Sequence, residues 1–264
     1  CSPSTVFIAA SARFSDRIDP GELGGQRART VQELVRDLRN KRVGEVTLLP
    51  AFFGPSGMVS EFIPKQVATV RAEPGPSMPV MSIAPTLICS CPFLCPGNNS
   101  DDRVAQILLQ RIKEAGKRNG LSERASIAVV DHGSPTAAVA KCRDQVTSQL
   151  SALIASEDSL KPLRIAGCCM ERREGPEYDF NGQLLEQLLE EHPDFMDGEV
   201  VIALMFLQPG RHAGPKGDVA QIVQKATEGK CRATVVMTDV IGNHPLLVEV
   251  LGERMGQAFR PAGW

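Results

Sequence analysis

Two histidines stand just beyond apolar segments that have the composition of buried β-strands. His132 follows Ser126–Asp131, and His212 follows the run 202–207. Each precedes a helical pattern, so both side chains are expected at the carboxyl edge of a parallel sheet, where ligands bind. Neutral imidazoles are common ligands of first-row metals, and they accept protons near neutral pH. The pair therefore predicts a site that handles a divalent metal and protons.

A third polar segment lies between the two histidines in the sequence. Residues 168–179 overlap the end of a predicted strand at 163–168 and contain four carboxylates. We favour Glu171, the carboxylate nearest the strand end, as a metal ligand or proton acceptor. The neighbouring Arg172 and Arg173 fit equally well with a solvated charged loop.

Short apolar segments alternate with amphipathic helical patterns along the chain. The predicted strands are 5–10, 46–53, 79–84, 126–131, 163–168, 199–206 and 233–238. The predicted helices are 28–41, 61–70, a segment capped by residues 100–102, 136–155, 179–191, 216–227 and 244–258. This alternation predicts an α/β fold in which parallel sheets are covered by helices on both faces.

The two halves of the chain resemble one another in sequence. Residues 48–58 align with 202–212 without a gap, and residues 8–13 align in outline with 130–135. In this alignment Ala10 takes the place of His132, and Met58 takes the place of His212. The first half therefore keeps the frame of the second and lacks its imidazoles.

An internal repeat of this kind predicts two similar α/β lobes that face one another across a cleft. The stretch 116–124 is rich in Gly and charged residues and divides the chain nearly in half. We predict a degenerate N-terminal lobe over residues 1–118 and a C-terminal lobe over residues 124–264 that carries the active site.

Composition limits the partners of the chain. The 264 residues carry a net charge of −2 and are 42% hydrophobic, which is enough for a large core but offers no basic surface for nucleic acid. No apolar run has the length of a membrane span, and no signal peptide is visible. We expect a cytoplasmic protein. Because the first residue is Cys1 rather than Met, a removed transit peptide is an alternative, and the protein would then be plastid stromal.

The eight cysteines are expected to be reduced thiols. Cys89, Cys91 and Cys95 lie together in a Pro-rich loop, which raises the alternative of a soft-metal or iron–sulfur site. Their spacing matches no standard cluster motif, so we expect no iron–sulfur cluster.

The second half of the sequence resembles a known family. His-Gly-Ser after a strand, Met-Glu before a loop and helix, and Phe-Leu-x-x-Gly-x-His followed by Asp-Val are similar to the class II chelatases of the CbiX type. The resemblance covers the second half closely and the first half loosely. It implies ATP-independent insertion of Fe²⁺ or Co²⁺ into a sirohydrochlorin-type tetrapyrrole, for sirohaem or cobalamin biosynthesis. We expect no organic cofactor. Because the internal repeat could replace the dimer that one-lobed relatives form, we expect a monomer or weak homodimer.

The resemblance implies roles for individual residues. The two active-site histidines of the family correspond to His132 and His212, and its acidic residue corresponds to Glu171, with all three acting on the metal and the protons. Ser134, Arg211 and Lys216 are candidates for binding the tetrapyrrole. The spacing from His212 to the following aspartate, residue 218, is longer than in the family, so no role is assigned to that aspartate.

Two other functions are compatible with the sequence. A hydrolase could use Ser134 with His132 or His212, although the chain lacks a Gly-x-Ser-x-Gly elbow at this serine. A non-catalytic tetrapyrrole or metal carrier, or a pathway scaffold, would also fit, because the first half already lacks both histidines.

Overall fold

Strands and helices alternate in residues 5–13, 19–88 and 101–261, which a computed structural model of the chain describes. The strands are β1 (Glu45–Leu48), β2 (Val80–Ile83), β3 (Ser126–Asp131), β4 (Ile165–Cys169), β5 (Glu199–Leu204) and β6 (Thr234–Met237). The α-helices are α1 (Val31–Asn40), α2 (Ile63–Ala72), α3 (Arg103–Asn119), α4 (Ala137–Ala155), α5 (Leu185–Glu191), α6 (Pro193–Met196), α7 (Asp218–Glu228) and α8 (Pro245–Gly256).

Two parallel sheets organise the described residues. β1 pairs with β2, and a four-stranded sheet has the order β4-β3-β5-β6. Each neighbouring pair in the larger sheet is parallel. The predicted α/β fold with helix-flanked parallel sheets is therefore confirmed.

The central strands of the larger sheet are buried on both faces, as their continuous apolar sequences predict. Ile127 and Val129 of β3 pack with α3, α4 and α8, whereas Ala128 and Val130 pack with α5 and α7 on the opposite face. Full burial of an aliphatic side chain of the size of Ile127 or Val129 contributes about 1.5–3 kcal/mol to folding. The carboxyl ends of β3 and β5 are thus held on a rigid support.

Helix α3 follows the smaller sheet in sequence and packs against the larger one. Its buried face shares a core with residues of β3, α4 and β5. The helix therefore belongs to the core of the larger sheet. The lobe boundaries at residues 118 and 124 stay a prediction.

The sequence repeat reappears in the backbone hydrogen bonds. The amide of Val80 donates to Gly44 O at 2.8 Å, and that of Thr234 donates to Gly198 O at the same distance. The bond from Leu87 N to Phe52 O, 2.9 Å, likewise matches the bond from Ile241 N to Phe206 O, 3.0 Å. Each donor and acceptor residue of the first half is separated from its counterpart in the second half by the same number of residues as in the gapless alignment of 48–58 with 202–212. Strands β1 and β2 therefore correspond to β5 and β6.

The other half of the predicted alignment is wrong. Ser11 forms an isolated parallel bridge with Thr30 just before α1, and Cys169 forms the same bridge with Leu184 just before α5. Residues 8–13 therefore correspond to the end of β4, and Arg13 takes the place of Glu171. Among the described residues His132 has no N-terminal counterpart.

The predicted strand at 5–10 is absent for the same reason. In the larger sheet β4 pairs only with β3, and the described part of the N-terminal half contains no counterpart of β3. Without that partner the segment forms no ladder, and Val6 and Phe7 are 73% and 71% exposed. An apolar sequence of strand composition remains irregular when no neighbouring strand offers hydrogen bonds.

The predicted helix at 179–191 begins later than expected. A 3-10 helix covers Pro176–Asn181, and Gly182 then adopts φ of +72° before α5 starts at Leu185. This glycine, whose positive φ is rare for other residues, breaks the helical pattern into two pieces.

The described cysteines are buried free thiols at positions 142, 168, 169 and 231. Burial raises the pKa of Cys169 to about 11, so this thiol is protonated at neutral pH. Cys1 and the predicted cluster of Cys89, Cys91 and Cys95 lie outside the described residues. Within the described ranges, none of the helices is both long enough and apolar enough to span a bilayer.

Candidate active site

His132 projects from a tight turn at the carboxyl end of β3. Gly133 adopts φ of +87°, and its amide donates to Asp131 Oδ1 at 3.1 Å. The imidazole Nδ1 lies 3.2 Å from the carbonyl oxygen of Gly133. Because a carbonyl only accepts, Nδ1 carries the proton and Nε2 carries the lone pair.

The segment after β4 runs alongside this turn. Met170 N donates to Asp131 O at 2.8 Å, and Glu171 N donates to His132 O at 3.2 Å. A Cβ atom on Gly133 would stand 1.8 Å from the carbonyl oxygen of Glu171, so only glycine fits between the two segments.

The side chains of His132 and Glu171 meet at the end of these two segments. Glu171 Oε1 lies 3.4 Å from His132 Nε2, with the carboxylate side chain 64% exposed. In the neutral ring this places a lone pair opposite a carboxylate oxygen. The arrangement is complementary to a proton or a metal ion between the two atoms.

His212 lies in a folded loop between β5 and α7. The amide of Val219 donates to His212 O at 3.0 Å, and that of Asp218 donates to Arg211 O at 3.1 Å. Gly217 makes this approach possible, since a Cβ atom there would lie 2.6 Å from His212 O. The loop thereby brings His212 against the first turn of α7.

Asp218, to which the sequence assigned no role, is the hydrogen-bond partner of His212. Its Oδ2 atom lies 2.6 Å from His212 Nδ1, so the ring donates to a carboxylate and keeps its lone pair on Nε2. The signal in the sequence is an acidic residue at the first position of the next helix, where carboxylates are favoured. The six-residue spacing concealed it, because the intervening loop folds back on itself.

The two imidazoles lie edge to face. Their ring centroids are 4.6 Å apart and the ring planes are at 89°. The side chains are 46% and 35% exposed for His132 and His212. Each ring has its Nδ1 atom engaged and its Nε2 lone pair available, which is how metal-binding imidazoles are oriented by neighbouring oxygen atoms.

The structure brings His132, His212 and Glu171 into one cluster. In the described ranges, however, no three His, Cys, Asp or Glu residues are arranged to hold a metal ion. The cluster consists of two close pairs, His132 with Glu171 and His132 with His212.

The predicted substrate-binding residues lie around this cluster. Arg211 is 82% exposed, with Nε 3.7 Å from Asp218 Oδ2. Lys216 is exposed in the same loop. Ser134 Oγ accepts a hydrogen bond from Thr136 N at 3.0 Å.

A buried polar network lies beneath the His132 turn. Arg143 of α4, whose side chain is 2% exposed, donates to Asp131 Oδ1 at 3.3 Å and to Asn181 O at 2.8 Å. The Asn181 side chain in turn bonds both main-chain polar groups of Ser134. Burial raises the pKa of Asp131, and the positive charge of Arg143 opposes this effect.

The carboxyl edges of the two sheets adjoin one another. The loop after β1 reaches the first turns of α4, where a Cβ on Gly54 would lie 2.7 Å from Cys142 Sγ and 3.5 Å from Val139 Cα. Phe53 packs against the larger core beside it. The loop after β1 of the smaller sheet therefore contacts the N-terminal half of α4, the helix that follows the His132 turn.

His244 caps the N-terminus of α8. Its Nδ1 atom accepts from Leu246 N at 3.2 Å, and Nε2 lies 2.8 Å from Gln110 Oε1. Desolvation lowers the pKa of this imidazole, and the nearby positive charge of Arg111 adds to the effect. Both ring nitrogens are occupied, so this imidazole has a structural role at the start of α8.

Parallel α/β layers with paired imidazoles at the carboxyl edge define a chelatase-like protein. Residues 168–258 match the CbiX family, a segment that contains Glu171, His212 and Asp218 and begins after His132. This match covers part of the second half of the chain, and it agrees with the resemblance of that half to the class II chelatases of the CbiX type. The reaction class of this family is the chelation of a metal into a tetrapyrrole.

Three solved structures share the fold. SirB from Bacillus subtilis, described with Fe³⁺, is 15% identical over 86% of this chain and 77% of that chain, with a TM-score of 0.58. CbiX, described as the terminal enzyme for siroheme biosynthesis in denitrifying bacteria, is 14% identical over 91% of this chain and 94% of that chain, with a TM-score of 0.51.

The third is DR2241 from Deinococcus radiodurans, a multi-domain protein described as similar to chelatases with two additional novel domains. It is 12% identical over 86% of this chain and 44% of that chain, with a TM-score of 0.55. At these identities the three likenesses concern the fold. No curated protein matches the sequence significantly.

Proposed function

We propose that this chain inserts Fe²⁺ or Co²⁺ into a sirohydrochlorin-type tetrapyrrole without ATP. The observation that carries the proposal is the pair of imidazoles 4.6 Å apart, each with Nδ1 bonded to oxygen and Nε2 available. Such a pair can deliver a divalent metal and can also receive the protons that the ring must lose. The supply of sirohaem or cobalamin is the pathway that this reaction would serve.

The metal is a substrate in this reaction and must leave the protein. We propose that the Nε2 atoms of His132 and His212 hold it, and that Glu171 swings in as a third ligand from its exposed position. Imidazole and carboxylate ligands accept iron and cobalt alike. Two nitrogens and one mobile carboxylate give a site from which the macrocycle can take the ion.

Insertion of a divalent ion displaces two pyrrole protons. His132 and Glu171 are placed to accept one of them, because their facing atoms form a proton acceptor pair 3.4 Å apart. Asp218 holds the second ring in position and stabilises a proton that arrives on His212. On this proposal the same groups exchange the metal for protons.

The carboxylates of the macrocycle require cationic or hydrogen-bonding groups at the rim. Arg211 and Lys216 extend from the loop that carries His212, and we propose that they contact these carboxylates. Ser134 stands beside His132 as a further candidate. We propose residues 1–118 as the opposite, degenerate lobe of the cleft and residues 124–264 as the catalytic lobe, in a monomer or weak homodimer.

The geometry does not favour a serine hydrolase. Ser134 Oγ is bonded to Thr136 N, and the Nδ1 atoms of the two imidazoles are bonded to Gly133 and Asp218. A productive nucleophile would instead need its hydroxyl bonded to one of these rings. The carrier function remains the second candidate because it would use the same imidazoles.

An anaerobic absorbance assay with sirohydrochlorin and Fe²⁺ or Co²⁺ tests the proposal. We expect spectral conversion by the wild type, and loss of conversion in His132→Ala and in His212→Ala without a change in circular dichroism. His192→Ala is the matched control, since this imidazole caps α6 away from the cluster.

The outcomes separate the candidates. Macrocycle binding by the wild type without conversion by either metal would favour the carrier. Full conversion by a folded His132→Ala variant would contradict the assignment of the site.

A further inference from the structure

A buried hydrogen-bond network ties the His132 turn to the segment that carries Glu171. Asn181 is fully buried at the end of the 3-10 helix that follows this segment. Its Oδ1 atom accepts from Ser134 N at 2.9 Å, and its Nδ2 atom donates to Ser134 O at 2.9 Å. One side chain thus satisfies both backbone groups of the residue two positions beyond His132.

Arg143 anchors the same network from α4. Its Nη1 atom donates to the main-chain oxygen of Asn181 and to Asp131 Oδ1, which also accepts from Gly133 N. Its Nε and Nη2 atoms donate to Asp144 Oδ1 at 3.0 and 2.7 Å. The guanidinium therefore fixes the residue before His132 and, through Asn181, the residues after it.

We propose that Asn181 and Arg143 are positioning residues that set the distance between His132 and Glu171. This inference rests on the proposed function of the cluster. The side chains of His132 and Glu171 lie on separate loops and are 46% and 64% exposed, so the distance between them depends on how their backbones are held. What holds their backbones together is the direct bond from Glu171 N to His132 O and the clamp on Ser134 and Asp131.

The clamp also explains a feature of the sequence that the site itself does not use. An arginine in the buried face of an amphipathic helix is costly unless its donors are satisfied. Arg143 of α4 bonds not only to the neighbouring Asp144 but also to Asp131 and Asn181, which lie in the two segments at the carboxyl edge of the sheet. Replacing such supporting groups around metal sites typically costs about 10–100-fold in activity or metal affinity.

The test compares Asn181→Ala and Arg143→Lys with Arg39→Lys. Arg39 is a matched control because it is also buried and donates to main-chain oxygens, those of Val70, Glu73 and Pro76, but far from the histidines. We expect kcat for metal insertion to fall about 10–100-fold in both test variants, with KM for the macrocycle within about twofold. Arg39→Lys should lower the unfolding midpoint and keep kcat.

Hydrogen exchange supplies a readout other than activity. In Asn181→Ala the Ser134 amide loses its acceptor and should exchange at least about tenfold faster, whereas the Val129 amide in the middle of β3 should stay protected. Affinity for Co²⁺ without macrocycle should fall about tenfold in the same variant. Arg143→Lys keeps the inference testable if Asn181→Ala does not fold.

The inference and the proposed function fail in different ways. An inactive wild type that binds the macrocycle would refute the function, while Co²⁺ affinity and exchange would still test the clamp. An active wild type with an unchanged kcat in a folded Asn181→Ala or Arg143→Lys variant would overturn the inference. So would an equal fall of kcat in Arg39→Lys.

Discussion

Replacing Asp218 by asparagine tests whether the second imidazole works through its carboxylate partner. In the wild type His212 Nδ1 donates to Asp218 Oδ2 at 2.6 Å, a charge-assisted bond that fixes the ring. In Asp218→Asn the amide group can donate instead, which would move the ring proton to Nε2. The lone pair needed for the metal would then be blocked.

The structure gives the size of the expected effect. A hydrogen bond to a charged group is worth about 1.5–3 kcal/mol. The side chains of His212 and Asp218 are 35% and 33% exposed, so solvent screening favours the lower end of the range. About 1.5 kcal/mol corresponds to roughly a tenfold fall in kcat/KM for metal insertion.

The assay is the anaerobic conversion of sirohydrochlorin with Co²⁺ at several metal concentrations. Asp194→Asn is the matched control, because Asp194 Oδ2 stands 3.9 Å from His192 Nδ1 and forms a carboxylate–imidazole pair outside the cluster. We expect this control to retain the wild-type rate. A rate and Co²⁺ affinity in Asp218→Asn equal to those of the control would refute the role of Asp218.

Two further predictions concern stability. Gly133→Ala should lower the free energy of unfolding by at least about 1–2 kcal/mol, because φ is +87° and the new Cβ would strike the carbonyl of Glu171; an unchanged urea midpoint would count against this. Burial opposes the ionisation of Asp101, but hydrogen bonds from Arg103 and Arg254 outweigh it and lower its pKa to about 2. A carboxyl group whose pKa is lower in the folded protein stabilises the fold fully at pH values above its pKa in the unfolded chain, about 4, and this stabilisation is lost as the pH falls towards 2. Asp101→Asn should therefore lower the free energy of unfolding by about 2 kcal/mol at pH 7 and by little at pH 2. Urea titrations at both pH values measure the difference, and an equal deficit at both would contradict the ion-pair explanation.

Local sequence determined much of the larger sheet. The continuous apolar segments of β3 and β5 can only be satisfied in a sheet covered on both faces, and the helices between them require parallel strands. Parallel strands in turn place His132 and His212 at the same edge. This part of the candidate site could therefore be predicted without coordinates.

The N-terminal half shows the limit of that reasoning. Residues 5–10 have the composition of a strand, but strand formation depends on a neighbour, and the described part of this half lacks the counterpart of β3. The composition of a segment indicates whether its side chains can be buried, but it does not indicate whether a neighbouring strand is present to pair with it. The same gap led the sequence alignment to place Ala10 opposite His132.

What the sequence by itself determined is the alternation of elements, the resemblance of the second half to the CbiX family and the edge where the histidines emerge, because these follow from periodicity and from short ordered motifs. Only the tertiary structure decided that Asp218 holds His212, that α3 packs on the larger sheet, and that Arg143 and Asn181 clamp the His132 turn. Each of these contacts joins segments through a folded loop or across the core. Their geometry depends on how the whole chain packs, so no local pattern of residues could specify it.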